Sequence, residues 1–204
     1  MFTYEGTKVR LLTLHNDARK SVVEGKLMGQ PMAISMEPLK WDKELERKAQ
    51  ILADNCSFAH DNVTNRSTSS FEHVGQNIAR ADSVDIAFGL WLNESRNFNF
   101  SSQSCLKGQC KHYTQIVWEN TTHIGCGVAT CKNSPFTLSI VCNYGPGGNL
   151  IGQVPYRLKI ENKLIKPEIQ NCNVRKYTYP LITFVPRLGP SLIKPLHSPN
   201  VSRI

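Results

Sequence analysis

Residues 124–142 read IGCGVATCKNSPFTLSIVC, and this stretch decides the fold class. Apolar side chains recur at every second position on both sides of Lys132-Asn-Ser-Pro135, namely Ile124, Cys126, Val128, Phe136, Leu138, Ile140 and Cys142. Such alternation is typical of a β-strand with one buried face, and polar residues followed by proline indicate a turn. The stretch therefore predicts a pair of neighbouring strands.

Three amphipathic helices are predicted upstream of the strand pair. The first spans Lys8–Lys26, with Thr7 as its N-cap and Gly25 as its stop, the second follows Asp42, and the third follows Ser83. Their expected buried stripes are Leu11, Leu14, Ala18 and Val22, then Leu45, Ala49, Leu52 and Cys56 with Trp41 packing before the cap, then Val84, Ala87, Phe88, Trp91 and Leu92. Helices followed by strands predict an α+β fold.

The last quarter of the chain has a different composition. Residues 155–199 hold seven prolines, which remove backbone donors and block helix formation. A chain of 204 residues suits one compact domain with an appendage. We expect a domain at residues 1–152 and an extended proline-rich tail at 153–204, part of which lies against the domain.

Most of the net charge of +8 belongs to this tail. Residues 151–204 hold nine of the 24 Lys and Arg residues but only two of the 16 Asp and Glu residues. The sequence has no nucleic-acid-binding signature. The tail is expected to attract anionic surfaces, a host protein or an acidic glycan, and no nucleic acid.

The cysteines and glycosylation motifs indicate a secreted glycoprotein. No run of about 18 apolar residues could form a transmembrane helix, and the first residues lack the regions of a signal peptide. Seven cysteines without CxxC spacing favour disulfides in an oxidising compartment. The acceptor motif Asn-X-Ser/Thr occurs at Asn55, Asn62, Asn65, Asn93, Asn99, Asn120 and Asn200. We therefore expect an extracellular protein whose signal peptide is absent from this numbering.

Several short motifs place polar, ligand-type side chains beside aromatic ones. They are CSFAH at 56–60, GQNIA at 75–79, WLNE at 91–94, HYTQIVW at 112–118, NYGPGGNL at 143–150 and HNDAR at 15–19. In this order they resemble the CAP superfamily of cysteine-rich secretory, antigen 5 and pathogenesis-related 1 proteins over roughly residues 8–152. Lys111 and Ser139 depart slightly from the family signatures. The chain looks most similar to a venom allergen-like protein of a parasitic worm.

The resemblance implies a three-layer α-β-α sandwich with a central antiparallel sheet and a cleft. It carries the cleft residues onto His60, Gln76, Glu94 and His112, where Gln76 replaces the expected glutamate. Glu72, four residues before Gln76, could in principle take the place of the missing glutamate, but its spacing from the motif gives no reason to expect this. The resemblance also implies disulfides Cys56–Cys131, Cys126–Cys142 and Cys105–Cys110, which leaves Cys172 as a free thiol, an intermolecular link or an alternative partner.

Two interpretations of the cleft histidines stay open. In the first, His60 and His112 are partly buried and hydrogen-bonded, and they hold the cleft together. In the second, they bind Zn²⁺ and, with Glu94, form a metal-dependent hydrolase or protease. The sequence has no nucleophile elbow or HExxH motif, and one expected carboxylate is missing. We therefore expect a protein that is not an enzyme and requires no cofactor.

A polar loop with two aromatic residues favours ligand binding. Phe98-Asn99-Phe100 lies before the Cys105–Cys110 segment and resembles the caveolin-binding-motif loop with which the family takes up sterols. Aromatic faces can cover a flat lipid ring, and apolar burial then supplies the affinity. The alternative is a plain surface loop. Some relatives hold fatty acids or eicosanoids, for which the apolar stripe of the first helix could form a wall or simply pack in the core.

Overall fold

The computed structural model describes residues 4–132 and 135–159. The helices are α1 (Tyr4–Val23), α2 (Lys43–Asp54), α3 (Val63–Arg66), α4 (Val84–Asn93) and α5 (Lys111–Ile116), with a 3-10 turn at Glu94–Asn97. The strands are β1 (Lys40–Trp41), β2 (Gly75–Ala81), β3 (Phe98–Asn99), β4 (Ser104–Cys105), β5 (His123–Thr130) and β6 (Leu138–Gly145). This mixture of helices and strands confirms the α+β class.

The central sheet has the strand order β1-β5-β6-β2. The predicted strand pair is β5 and β6, which run antiparallel with Cys126 opposite Cys142. Strand β2 pairs antiparallel with the other edge of β6, and the two-residue β1 is parallel to β5. The sheet is therefore antiparallel except at one short edge, and a separate hairpin joins β3 to β4.

Helices cover both faces of this sheet and give three layers. Helix α2 packs on β5 and β6, whereas α1, α4 and α5 contact one another and the sheet. The contact between α2 and β5 requires glycine, because a Cβ at Gly125 would overlap the backbone of Glu46, and one at Gly127 would overlap that of Gln50. These two glycines let a helix lie directly on the backbone of a strand.

The predicted apolar stripes form the core. Leu11, Ala18 and Val22 of α1 are buried with Val84, Ala87, Phe88 and Trp91 of α4, while Leu14 and Leu92 are partly buried. Leu45, Ala49 and Leu52 of α2 are also buried. The N-caps predicted at Asp42 and Ser83 are correct, since Asp42 accepts hydrogen bonds from the backbone N–H groups of Glu44 and Leu45, and Ser83 accepts one from Ile86.

Three details of the prediction were wrong. Helix α1 begins at Tyr4, so Thr7 lies inside it, and Glu5 occupies a first turn where a negative charge is favourable. The predicted stop at Gly25 is correct, since the helix ends at Val23 and Gly25 follows with φ of +68°. Cys56 lies beyond α2 with φ of +50°, which takes its side chain off the helix face. Phe136 is exposed and precedes β6.

The described beginning of the predicted tail packs on the domain. Tyr156 is buried, the Ile34 N–H donates to the Arg157 carbonyl, and Leu158 forms an antiparallel bridge with Ala33. Cys172, Asn200 and the rest of the tail lie outside the described residues. Within residues 4–132 and 135–159, no helix has the length and apolar character needed to cross a membrane.

Candidate functional site

The four expected cleft residues form two hydrogen-bonded pairs. His60 comes from the loop after α2 and Gln76 from β2, and the His60 Nδ1 atom lies 2.8 Å from the Gln76 Oε1 atom. Glu94 begins the 3-10 turn and His112 lies in α5, with 2.7 Å between Glu94 Oε1 and His112 Nδ1. Each imidazole is thus held through the same ring nitrogen by an oxygen.

Glu94 holds His112 and also caps the helix that carries it. Its Oε2 atom accepts hydrogen bonds from the backbone N–H groups of His112 (2.9 Å) and Tyr113 (3.3 Å), at the start of α5. The Trp91 ring stacks on the His112 ring with 6.2 Å between centroids. A carboxylate at a helix N-terminus satisfies free donors and is stabilised by the helix dipole. The orientation of His112 is therefore coupled to the start of α5.

The amide of Gln76 is bound at both ends. Its Oε1 atom accepts hydrogen bonds from His60 and from the Arg66 guanidinium (3.1 Å), and its Nε2 atom donates to Asp61 Oδ1 (3.1 Å) and Asn143 Oδ1 (2.9 Å). Arg66 also forms an ion pair with Asp61 at 2.9 Å. Arg66 can only donate and the Asp61 carboxylate can only accept, so these partners fix which end of the amide is oxygen.

This arrangement leaves the Nε2 atom of each histidine for other partners. The Gln76 and Glu94 oxygens accept the Nδ1 hydrogen, so a neutral ring has a lone pair at Nε2. Both carboxylate oxygens of Glu94 already accept hydrogen bonds from a residue of α5. Over the described residues, no group of three or more His, Cys, Asp or Glu side chains is placed to hold a metal ion. Each imidazole therefore keeps one ring nitrogen available, without a three-residue metal group among the described residues.

A buried polar chain runs from α1 to His112, and the sequence analysis missed it. The His15 Nδ1–H donates to the Leu11 carbonyl, so Nε2 accepts from the Tyr144 hydroxyl at 2.8 Å. The Tyr144 oxygen accepts from Asn77 Nδ2, which also donates to the His112 carbonyl at 3.1 Å. Complete burial lowers the pKa of His15 to about 4 and keeps it neutral.

Arg19 fixes α1 to the region after α5. Its guanidinium is buried and donates hydrogen bonds to the backbone carbonyls of Ile116, Trp118 and Glu37. Burial lowers its pKa to about 10. The motif HNDAR at 15–19 could have identified both residues. His15 and Arg19 are four positions apart, so in a helix they lie on the same face, here the face toward the core.

The two aromatic residues of the expected sterol loop pack against other aromatic rings and are not fully exposed. Phe98 is buried and lies 6.0 Å, between ring centroids, from Tyr113. Phe100 is half-buried with its ring 4.7 Å from that of Tyr156. Beside them lies a broad depression of about 1100 Å³, whose apolar wall contains Met28, Pro31, Phe98, Phe100, Leu106 and Leu158. The apolar stripe of α1, by comparison, lies within the core.

All three expected disulfides are present. Cys56–Cys131 and Cys105–Cys110 have Cα atoms 5.8 Å apart, and Cys126–Cys142 joins opposed residues of β5 and β6 with 4.1 Å between Cα atoms. Of the described glycosylation motifs, those at Asn55, Asn62, Asn65, Asn93 and Asn120 have exposed asparagines, and Asn99 is half-buried. Ser139, which departs from the family signature, is fully buried, and its hydroxyl has no partner among the described residues.

The chain is similar to known proteins of one family. The model of the CAP family, described as the cysteine-rich secretory protein family, matches residues 12–144. Scoloptoxin SSD552 of Scolopendra dehaani is 36% identical over 159 residues, which cover 74% of this chain and 73% of that protein. The structure of venom allergen-like protein 4 of Schistosoma mansoni has a TM-score of 0.71 and 34% identity, and the match covers 79% of this chain and 99% of that one. The crystal structure of NaASP2 with Zn²⁺ has a TM-score of 0.63 and 27% identity, with 77% of this chain and 87% of that one covered. The chain therefore belongs to the CAP family of cysteine-rich secretory proteins.

Proposed function

We propose that this protein is a secreted, glycosylated, non-enzymatic binder of small hydrophobic ligands at a host interface, and that it takes sterols at the Phe98–Phe100 loop. The observation that carries this proposal is the depression beside the loop, which is lined by Met28, Phe98, Phe100 and Leu106. A sterol presents a rigid apolar surface, and its burial against such a wall needs no catalytic group. Fatty acids and eicosanoids are further candidates for the same wall.

Secretion and glycosylation are supported by the surface and the cross-links. Five of the six described acceptor asparagines are exposed, as a glycan requires. Three disulfides join residues 5, 16 and 75 positions apart in sequence, a pattern that persists in an oxidising compartment. Relatives with toxin and venom allergen names support the same assignment.

Binding of radiolabelled cholesterol by the purified protein tests the sterol proposal. Phe100→Ala is the informative variant, because Phe98 belongs to the core and its truncation would also disturb folding. We expect Phe100→Ala to weaken binding about tenfold, since an aromatic contact worth about 1.4 kcal/mol is lost. Phe58→Ala is the matched control, because Phe58 is an exposed aromatic residue on Arg80. The proposal is wrong if the unmodified protein takes up no sterol, or if both variants bind equally.

A metal-dependent function is the second candidate, and the Nε2 atom that each imidazole leaves available supports it. Both Nδ1 atoms are engaged, so His60 and His112 would hold a divalent metal through Nε2 with water completing the shell. A bound Zn²⁺ would supply an activated water for hydrolysis. The similarity to NaASP2, whose structure was solved with Zn²⁺, supports the same candidate.

Calorimetric titration with Zn²⁺ tests this second candidate. One equivalent of Zn²⁺ should bind to the protein, and His112→Ala should abolish the heat of binding. His73→Ala is the control, since His73 is an exposed histidine outside the two pairs. Equal binding by both variants, or none by the unmodified protein, would remove the metal candidate and the hydrolase with it.

A further inference from the structure

The β3–β4 hairpin is surrounded by exposed apolar side chains at the tips of three loops. Ile151 is fully exposed, while Met28 and Leu106 have exposed fractions of 89% and 67%. Val154 is also exposed at 45%. Single exposed apolar residues are ordinary, but several large ones together mark an interaction surface.

Two depressions that both contain Phe98 place these side chains around the hairpin. The depression of about 1100 Å³ contacts Met28 and Leu106, and a second of about 360 Å³ contacts Ile151 and Val154. Phe98 lines both depressions, and the hairpin cross-linked by Cys105–Cys110 separates them. We call this surface, formed by Met28, Arg96, Leu106, Lys107, Lys111, Leu150, Ile151 and Val154, the hairpin face.

The charges on the hairpin face have one sign. Arg96, Lys107 and Lys111 are exposed, and Arg96 and Lys111 each line one of the depressions. Among the described residues, no Asp or Glu side chain lines either depression. A face that combines exposed apolar side chains with cations is complementary to a surface with an anionic outer layer and an apolar layer beneath it.

We propose that the hairpin face docks on an anionic lipid surface. Ile151 and Leu106 would enter the boundary between headgroups and acyl chains, which accepts apolar side chains to a depth of about 5–10 Å. Arg96, Lys107 and Lys111 would lie at the headgroup level, where cations are attracted to an anionic membrane. A second copy of this chain fits less well, because its cations would meet the same cations.

This proposal goes beyond ligand binding in solution and does not depend on it. Uptake of a sterol by the depression needs no membrane, whereas docking requires the loop tips and the cations. The two can therefore fail separately, and sterol uptake in detergent-free solution should be unchanged in Ile151→Asp.

Flotation with lipid vesicles tests docking. The full chain is mixed with vesicles of phosphatidylcholine alone or with added phosphatidylserine, in a Ser101→Ala background that removes the Asn99 acceptor motif from the hairpin face. We expect binding to the anionic vesicles and about a tenfold loss in Leu106→Asp/Ile151→Asp. Ile51→Asp/Leu90→Asp is the matched control, because both residues are exposed apolar side chains outside the hairpin face.

Charge reversal tests the cations in the same assay. Lys107→Glu/Lys111→Glu should weaken binding about tenfold, and Lys43→Glu/Arg47→Glu on α2 provides the same change in net charge elsewhere. Equal effects of the two pairs would overturn the proposal, because net charge alone, including that of the basic tail, would then explain binding. Equal binding to neutral and anionic vesicles would overturn it as well.

Fluorescence at the loop tip gives a direct readout of insertion. Tryptophan emission of Ile151→Trp should shift to shorter wavelength on anionic vesicles, as the ring leaves water. Ile51→Trp on α2 should show no such shift. If the protein floats with the vesicles but the emission at position 151 does not shift, the membrane contact lies elsewhere. That result would overturn the proposal.

Discussion

The two histidines of the cleft are held through the same ring atom but by different chemistry. His112 donates to a carboxylate, whereas His60 donates to an amide that it shares with Arg66. The Glu94 carboxylate also caps α5, and the His112 ring that it holds stacks on Trp91. Its loss would therefore affect the start of the helix as well as the His112 ring. The hydrogen bond of His112 therefore belongs to the fold, whereas the similar hydrogen bond of His60 belongs to the surface.

The surroundings of the two pairs extend this difference. Behind His112, hydrogen bonds continue through Asn77 and Tyr144 to His15 in the core. Around His60, they continue through Gln76 to buried Asn143 and to the ion pair of Arg66 and Asp61, whose side chains are 13% and 14% exposed. We expect the His112 pair to respond to changes in global stability and the His60 pair to respond to local changes.

Truncation of the two oxygen-bearing partners should have unequal effects. Glu94→Ala removes a charged hydrogen bond to His112 and the cap of α5, and we expect the free energy of unfolding to fall by about 3 kcal/mol. Gln76→Ala should lower it by about 1 kcal/mol, because His60 is exposed and Arg66 and Asp61 keep their ion pair with each other. Urea unfolding with the disulfides intact measures both values.

Glu94→Gln provides the control for this pair of substitutions. It keeps an oxygen for the His112 ring or the backbone but removes the charge, so its effect should lie between those of the alanine variants. Equal losses in Glu94→Ala and Gln76→Ala would contradict the idea that one pair belongs to the fold and the other to the surface.

Acidification should destabilise the protein through the chain that supports His112. The pKa of His15 is about 4 in the folded protein and about 6.5 when unfolded. The neutral ring is favoured in the folded state, so stability is fully present above pH 6.5 and is lost as the pH falls towards 4. At pH 5 the loss should be about 2 kcal/mol relative to pH 7.

Urea unfolding of the unmodified protein and His15→Gln at both pH values measures this loss. His15→Gln should be less stable at pH 7 but should lose about 2 kcal/mol less on acidification. A full pH effect in His15→Gln would assign the titration to another group.

Removal of Arg66 should loosen the His60 pair alone. Arg66 donates to Gln76, Asp61 and the Val74 carbonyl, so Arg66→Ala leaves Asp61 with Gln76 as its partner. We expect a loss of about 1.5 kcal/mol, which is typical of a hydrogen bond to a charged group. NMR spectra should show altered His60 ring resonances and unchanged His112 ring resonances. Changes at both rings would mean that the two pairs are coupled.

The sequence predicted most of the architecture because local signals were consistent with it. Alternation identified β5 and β6, and Asp42 and Ser83 marked helix starts through caps that need only neighbouring residues. Strand β2 was missed because its burial is not alternating, with Asn77, Ile78 and Ala79 all buried in succession. A strand covered on both faces lacks the period of two on which the prediction relied.

The cleft was predicted only in part, because its contacts join residues that are far apart in sequence. Resemblance supplied His60, Gln76, Glu94 and His112, but not their partners. The pairing of His15 with Tyr144 joins residues 129 positions apart, and neither periodicity nor a short motif encodes such a contact. Asp61 and Arg66 are near His60 in sequence, yet their role depends on β2 bringing Gln76 between them.

That arrangement gives a physical reason for an amide at position 76. Asp61 already supplies a carboxylate beside His60, and the Gln76 Nε2 atom donates to its Oδ1 atom. Glutamate at position 76 would face that carboxylate and the Asn143 oxygen without a hydrogen to donate. We therefore expect Gln76→Glu to lower the free energy of unfolding by about 1 kcal/mol.

Gln76→Glu/Asp61→Asn should recover most of this loss, because the charge moves to position 76 while Arg66 keeps a carboxylate partner. A double-mutant cycle by urea unfolding should give a coupling of about 1 kcal/mol between the two positions. The double variant would also convert the His60 pair to the chemistry of the His112 pair, and its affinity for Zn²⁺ should rise about tenfold if His60 is a ligand. Additive stability effects would mean that Asp61 does not determine the residue at position 76, and the contrast between the two pairs would need another cause.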